Sequence, residues 1–204
     1  MNITLGITGA SGIPIALTLL KELLSSKFID DINRINLVIS QAGIITIKQE
    51  VGISLSANPN QIKEILVQEL TLIRNDILYV YTNSDWYSPI ASGSSVSDTM
   101  VVCPCSMATL GKIAAGIGDD LIGRAADVII KERRNLILVP RETPLNAIHL
   151  SNMQRLAELG VSILPPVPAF YNHPKTIEDI INFIVSRILD QMGLDNKISI
   201  RWSN

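Results

Sequence analysis

Two hydrophobic patterns alternate along the chain. Short continuous runs rich in Val, Ile and Leu, typical of strands buried on both faces, are separated by segments with apolar residues at helical spacing. The runs predict strands over residues 2–8, 36–40, 77–81, 100–103, 136–140 and 161–164. The helical spacing predicts helices over residues 13–24, 42–51, 60–70, 107–115, 121–133, 146–159 and 177–192.

This alternation indicates an α/β fold with a doubly wound parallel sheet and Rossmann-like architecture, because parallel strands need helical connections that cover both faces. The 204 residues are enough for one such domain, and the chain shows no internal repeat, charge block or linker. We therefore predict a single domain over residues 1–204.

Composition narrows the functional classes. Seventeen basic against nineteen acidic residues exclude a strongly electropositive nucleic-acid module. Hydrophobic residues make up 47% of the chain and charged residues only 18%, so we expect a homo-oligomer whose contacts cover part of the apolar surface.

The two cysteines and the first twenty residues bear on location. Cys103 and Cys105 are separated by one residue, so a disulfide between them would not cross-link distant parts of the chain. This cysteine usage indicates a reducing compartment. The first twenty residues carry no charged side chain, but their glycines and Pro14 argue against a signal peptide or membrane span. We predict a cytoplasmic protein that does not enter a membrane.

Ligands of such sheets bind beyond the carboxyl ends of the strands. The first strand is followed by the turn GITGASG (residues 6–12), which predicts an anion site at a helix N-terminus. The alternative is a plain glycine turn with Ser11 as the helix cap. The second strand ends in Ser40, where an NAD site requires an acidic residue. A serine suits a mononucleotide flavin, and the alternative is an ordinary loop serine.

The fourth strand runs into the sequence CPCSMAT. We expect Cys103 to be core, Pro104 to end the strand and Ser106 to open a helix facing the cleft. Zinc is the alternative for the two cysteines, but His149 and His173 fall in no ligand spacing. No metal site is predicted.

Four charged residues are candidates for chemistry. Arg124 and Lys131 are seven residues apart and share one face of an apolar helix, so they need a partner such as phosphate; for Lys131 the negative end of the helix dipole is the alternative. Arg141 and Glu142 follow the fifth strand. Arginine binds phosphate and glutamate transfers protons, with a simple surface ion pair as the alternative.

The C-terminal part adds an extended stretch, PPVPAFY (residues 165–171), which either covers a pocket or braces a neighbouring subunit. Arg187 lies on the polar face of the last helix and, taken alone, is a solvated charge. Tyr171 and Lys175 have the spacing of a short-chain dehydrogenase pair, but Pro174 between them disfavours the helix that this pairing needs.

Six motifs in order give the chain a resemblance to the UbiX-type flavin prenyltransferases over nearly its whole length. They are GITGASG (6–12), ASGS (91–94), PCSMATL (104–110), RAADVIIKERR (124–134), LVPRETPL (138–145) and ILPPVPAFY (163–171). The resemblance implies a flavoprotein fold and transfer of a dimethylallyl group from dimethylallyl monophosphate to N5 and C6 of reduced FMN. Asp119 and Asp120 do not continue an Asp-Asp-x-x-Asp pattern, so we predict a reaction without a metal. The resemblance also implies a homododecamer and delivery of prenylated FMN to a UbiD-type decarboxylase.

The resemblance also assigns roles to residues. Residues 165–204 become a C-terminal extension that completes the active site and the subunit contacts. The FMN-binding set is Gly9, Ala10, Ser11, Ser40, Ser106, Met107, Ala108, Thr109 and Arg141. The prenyl phosphate set is Arg124, Lys131, Tyr171 and Arg187, and the catalytic set is Ser11, Glu142 and Lys131. Glu50 and Trp202 border the site, and Trp86 and Tyr87 are placed to flank an allylic cation by cation–π attraction.

Three other functions are weighed against this one. A flavin-dependent cysteine decarboxylase of the same broad fold family typically has a Pro-x-Met-Asn-x-x-Met motif and a catalytic histidine, and here PRETPLN stands in that place. A non-catalytic FMN carrier would bind no second phosphate ligand, whereas the cations predicted at the strand ends favour one. An NAD oxidoreductase is disfavoured by Ser40 and Pro174.

Overall fold

The computed structural model describes residues 1–199 and contains one six-stranded sheet in the order β3-β2-β1-β4-β5-β6. All neighbouring strands are parallel. The strands are β1 (Asn2–Ile7), β2 (Arg34–Ile39), β3 (Leu78–Thr82), β4 (Thr99–Cys105), β5 (Asn135–Pro140) and β6 (Ser162–Ile163). The predicted doubly wound α/β fold is confirmed.

Within residues 1–199, seven α-helices connect and cover the strands. They are α1 (Ile13–Leu23), α2 (Gln41–Val51), α3 (Pro59–Leu70), α4 (Met107–Ala114), α5 (Leu121–Lys131), α6 (Ala147–Glu158) and α7 (Ile177–Gln191). Two short 3-10 turns, Pro89–Ala91 and Gly93–Ser95, precede β4. In residues 1–199, no helix is long and apolar enough to cross a membrane.

The sheet separates two hydrophobic cores. On the first face, alternate strand residues such as Leu5 and Ile137 pack with α1, α2, α3 and α7. On the second face, residues such as Met100 and Leu138 pack with α4, α5 and α6. The strand order reverses between β1 and β4, so the connections leave the carboxyl edge in opposite directions and open a crevice there.

The end of β4 differs from the sequence prediction. The strand does not stop before Pro104 but continues to Cys105, and the Cys103–Pro104 peptide is cis. Proline has no N–H to donate, and the pairing with β5 shifts register between Val102 and Cys105, which accommodates it. The extra residues bring Ser106 to the crevice.

Candidate functional site

The ends of β1 and β4 are joined by Thr8. Its hydroxyl donates to the Pro104 carbonyl at 2.7 Å and accepts from the Ser106 N–H at 2.8 Å. Its own N–H donates to the same carbonyl at 3.2 Å. The side chain is 1% exposed, so these bonds are shielded from water. The turn after β1 and the turn before α4 therefore form one unit.

The turn after β1 is also pressed against α2. The Ser40 N–H donates to the Ile7 carbonyl at 2.9 Å. A Cβ on Gly9 would lie 2.4 Å from the Ala42 Cβ, and one on Gly43 would lie 2.8 Å from the Ile7 oxygen. Only glycine permits this approach. The ends of β1, β2 and β4 thus form a continuous edge.

Two of the helices that begin at this edge are capped by serine. The Ser40 hydroxyl accepts from the Gly43 N–H at 3.0 Å, and the Ser106 hydroxyl accepts from the Thr109 N–H at 3.2 Å. The expectation that Ser106 opens a helix is confirmed. Ala108 is exposed and Met107 half-buried, and the N–H groups at these first two helical positions have no intrahelical acceptor. This turn of α4 is suited to bind an anion.

The N-terminus of α1 is occupied by a carboxylate from α2. Glu50 Oε2 accepts from the Gly12 N–H at 3.1 Å and from the Ile13 N–H at 2.9 Å, and the Ser11 hydroxyl donates to the same carboxylate. The N-cap residue is Gly12, with no side-chain cap bond, so the alternative that Ser11 caps the helix is wrong. The predicted anion site at this terminus is filled by the protein itself.

These contacts set the charge of Glu50. Burial raises the pKa of its carboxyl, but the bonds from Ser11, Ile13 and Gly12, together with the positive charge of Arg141, outweigh burial. The pKa is therefore lowered from the ordinary value, and a fixed negative charge stands beside Ser11.

Arg141 and Glu142 follow β5 at the same edge. The Arg141 N–H donates to the Cys105 carbonyl at 3.3 Å, which places the residue beside the turn into α4. Both side chains are exposed, and Glu142 Oε1 accepts from the Thr143 N–H at 3.0 Å. Within the described part of the chain no ion pair joins Arg141 to Glu142, contrary to the surface-pair alternative.

Arg124 and Lys131 lie on α5, on the second face of the sheet. Arg124 Nη1 pairs with Asp127 at 2.8 Å and its Nε donates to the Ala91 carbonyl at 3.1 Å. Lys131 pairs with Glu132, and its Nζ would be 2.7 Å from a Cβ on Gly93. Both cations thus face the motif of residues 91–94, and the predicted shared helix face is confirmed.

Tyr171 and Arg187 belong to the first face. The Tyr171 ring packs edge-on against Phe183 of α7, with centroids 6.1 Å apart. Arg187 pairs with Asp190 at 2.7 Å and lines a cavity of about 420 Å³ beside Leu164. Because α5 and α7 cover opposite faces, one protomer does not bring the four predicted phosphate ligands together.

The remaining predicted residues are placed as follows. Trp86 is 48% exposed and lines a cavity of about 430 Å³ beyond the ends of β2 and β3, while Tyr87 is fully exposed. Trp202 lies outside the described residues. Cys103 and Cys105 are free and fully buried, and burial raises the pKa of both thiols, that of Cys105 to about 12. Over residues 1–199, no group of three His, Cys, Asp or Glu side chains is arranged to hold a metal.

Two residues with clear positioning roles have no local sequence signal. Thr8 reads as the end of a buried strand, and its two long-range bonds depend on where β4 ends. Asn83 follows β3, accepts from the Leu121 N–H through its carbonyl at 2.8 Å, and accepts from the Ile122 N–H through its side chain at 3.1 Å. The hydrogen-bond partners of Thr8 and Asn83 are far away in the sequence, so their roles become visible only in the assembled sheet.

The Glu50 geometry generates a prediction about stability and pH. A lowered folded-state pKa means that the charged carboxylate stabilises the fold above its ordinary pKa of 4.5, and that this contribution is lost as the pH falls through the lower folded value. A glutamine at position 50 has one acceptor oxygen instead of two for the donors at Ser11, Gly12 and Ile13. We therefore expect the thermal unfolding temperature of Glu50→Gln at pH 7 to be about 2–4 °C below that of wild type. The difference in unfolding temperature between Glu50→Gln and wild type should become smaller below pH 4.5.

The matched control for this prediction is Glu64→Gln, on an exposed position of α3. Its unfolding temperature should follow wild type at every pH. A Glu50→Gln deficit that stays constant between pH 7 and pH 3.5 would contradict the electrostatic origin.

Comparisons with known proteins show the family to which the chain belongs. The Flavoprotein family model matches residues 1–189. The flavin prenyltransferase UbiX of Methanocaldococcus jannaschii is 45% identical over 202 residues, covering 99% of this chain and 98% of that one. A dodecameric FMN-dependent UbiX-like decarboxylase from Escherichia coli O157:H7 superposes with a TM-score of 0.86 at 40% identity, covering all of both chains.

A second solved structure adds ligands to the comparison. AnUbiX (PadA1), in complex with FMN and dimethylallyl pyrophosphate, superposes with a TM-score of 0.83 at 38% identity, over all of this chain and 97% of that one. The resemblance drawn from six sequence motifs is confirmed by these full-length matches. The chain belongs to the flavoprotein family and, within it, to the UbiX flavin prenyltransferases.

Proposed function

We propose that this protein transfers the dimethylallyl group of dimethylallyl monophosphate to N5 and C6 of reduced FMN, and that a UbiD-type decarboxylase receives the prenylated flavin. Family membership gives the reaction class, prenyl transfer to a flavin. The observation that carries the assignment to this site is the edge formed by β1, β2, β4 and β5. It gathers a glycine turn, two serine-capped helices, Arg141 and the fixed carboxylate of Glu50.

The residues at this edge fit FMN. The open first turn of α4 and the Arg141 guanidinium supply N–H donors and positive charge for the flavin phosphate. The α1 terminus does not suit it, because the Glu50 carboxylate would repel a phosphate there. We assign FMN binding to Gly9, Ala10, Ser11, Ser40, Ser106, Met107, Ala108, Thr109 and Arg141.

The reaction requires a definite count of protons. Two new bonds replace the hydrogens on N5 and C6, and the prenyl double bond takes up one proton, so one proton is released with the phosphate. Ser11 is held by the fixed carboxylate of Glu50, and Glu142 is exposed beside Arg141. We assign the proton transfers around N5 and C6 to Ser11 and Glu142, with Glu50 orienting the Ser11 hydroxyl.

Cleavage of the carbon–oxygen bond leaves both bonding electrons on phosphate, so cations must gather around the leaving group. We assign this role to Arg124, Lys131 and Arg187, and we assign to Tyr171 a hydrogen bond from its neutral hydroxyl to the same phosphate. The first two lie on α5 and the other two are associated with α7, on opposite faces of one protomer. A complete set therefore needs more than one copy of the chain, in keeping with a homododecamer and with residues 165–204 completing the neighbour's site.

A metal ion is not part of the proposed reaction. Asp119 and Asp120, the paired aspartates of the chain before α5, have other roles, because Asp119 pairs with Lys112 at 2.8 Å and Asp120 caps α5 through the Gly123 N–H at 2.8 Å. The positive charge on the leaving group comes from side chains instead. The cytoplasmic location stays a prediction from the cysteine content.

The direct test is anaerobic incubation of the protein with reduced FMN and dimethylallyl monophosphate, followed by mass spectrometry of the extracted flavin. We expect a flavin heavier by one five-carbon unit, in the same yield with excess EDTA. Unmodified FMN that stays bound would favour the FMN carrier or the cysteine decarboxylase and would overturn the proposal.

Glu142→Gln tests the proton assignment. Glutamine keeps the shape of the side chain but cannot take a proton at neutral pH, so FMN should bind within about twofold of wild type while the four-ringed product falls by about 100-fold or more. Quenched samples analysed by mass spectrometry and absorbance should show a flavin joined to the prenyl group by one bond. Formation of the four-ringed product at the wild-type rate would remove this role from Glu142.

Mixed oligomers test whether the phosphate set is shared between subunits. Lys131→Ala and Arg187→Ala should each raise the KM for dimethylallyl monophosphate by about 10-fold or more, because each removes a charge-assisted hydrogen bond. Co-expressed in equal amounts, the two variants should form about a quarter of their sites with both cations intact and recover that share of activity. The control is an equal mixture of wild type with the double variant. Its activity should be about a quarter of the wild-type value if the site is shared between subunits, and about half if the site lies within one subunit. A mixture no more active than its parents would contradict the shared site.

A further inference from the structure

We propose that Thr8 is a positioning residue of the flavin site: its hydroxyl fixes the first turn of α4 in the orientation that binds the flavin phosphate. The inference deepens the proposed function and rests on it. Thr8 is buried behind the FMN-binding set and is not assigned to that set. It acts through the N–H groups of the turn that it holds.

The bonds of Thr8 form an ordered chain from β1 to α4. Because its hydroxyl proton is directed at the Pro104 carbonyl, at 2.7 Å, the oxygen is left to accept from the Ser106 N–H at 2.8 Å. Ser106 in turn caps the helix by accepting from the Thr109 N–H. Fixing the Ser106 N–H therefore fixes the plane of the cap and the direction of the N–H groups of Met107 and Ala108.

The hydroxyl has a role that the strand pairing does not replace. The Thr8 N–H also donates to the Pro104 carbonyl, so β1 and β4 stay joined when the hydroxyl is removed. The Ser106 N–H, however, would lose its acceptor, and a buried donor without a partner is costly. Because the turn is only half-buried, we expect it to rotate until this N–H meets water. FMN would then have to reverse that rotation, which weakens its binding.

The strand that leads into Thr8 provides a matched control. Thr4 is also 1% exposed, and its hydroxyl is hydrogen-bonded to the Ser97 hydroxyl at 2.8 Å. It lies four residues before Thr8, about 13 Å along the strand and away from the carboxyl edge. Thr4→Val thus removes the same group at equal burial without touching the turn into α4.

The experiment compares wild type with Thr8→Val, Thr8→Ser and Thr4→Val. FMN dissociation constants are measured by fluorescence titration, and hydrogen exchange of the FMN-free proteins is followed by mass spectrometry over peptides that contain residues 106–110. Thr8→Val should raise the Kd for FMN by about tenfold and speed exchange at Ser106 and Thr109. Thr8→Ser, which keeps the hydroxyl, and Thr4→Val should stay within about twofold of wild type.

Two outcomes overturn the inference: wild-type affinity and exchange in Thr8→Val, or an equal loss of affinity in Thr4→Val, which would indicate general destabilisation. If Thr8→Val does not fold, Thr8→Ala against Thr4→Ala applies the same criteria. Failure of the proposed function is distinguishable: if wild type binds FMN without prenylating it, the comparison of Kd values still tests Thr8, and if wild type binds no FMN, exchange at Ser106 still decides whether the Thr8 hydroxyl holds the turn.

Discussion

The candidate site at the carboxyl edge of the sheet depends on how β1 and β4 are held together beyond their carboxyl ends. In a doubly wound sheet these two strands lie side by side while their connections depart to opposite faces, so the crevice between them is open by construction. The buried hydrogen bonds of Thr8 to Pro104 and Ser106 join the two strand ends at the bottom of this crevice. These bonds hold the glycine turn, the caps of α2 and α4 and the residues after β5 in fixed positions relative to one another.

Electrostatics then divides that edge into two regions. The α1 terminus holds the Glu50 carboxylate, whose pKa is lowered by the donors around it and by Arg141. The α4 terminus leaves its first N–H groups without an intrahelical acceptor. The two adjacent helix ends therefore differ in charge. In the function proposed above, the negative one orients a hydroxyl for proton transfer and the positive one receives phosphate.

Local signals were enough for much of this arrangement. Ser106 was recognisable as a helix cap because a cap needs only a short polar side chain ahead of an apolar periodic segment, whereas Ser40 was recognised only as the end of the second strand. The strands were recognisable from continuous apolar runs, and the place of Arg141 and Glu142 follows from the end of β5. The extent of β4 was not, because proline normally ends strand pairing and the register shift beside Pro104 has no local signature.

The α/β alternation and the chemical types of the site residues could be predicted from residues within a few positions of one another, and the family from six motifs in order along the chain. Which of those residues meet depends on the tertiary structure. It brought Glu50 from the end of α2 to the start of α1, and Thr8 to the turn before Ser106. It also placed Arg124 and Arg187 on opposite faces of the sheet. Contacts across 37 or 98 residues arise from strand order and helix packing, which no local pattern encodes.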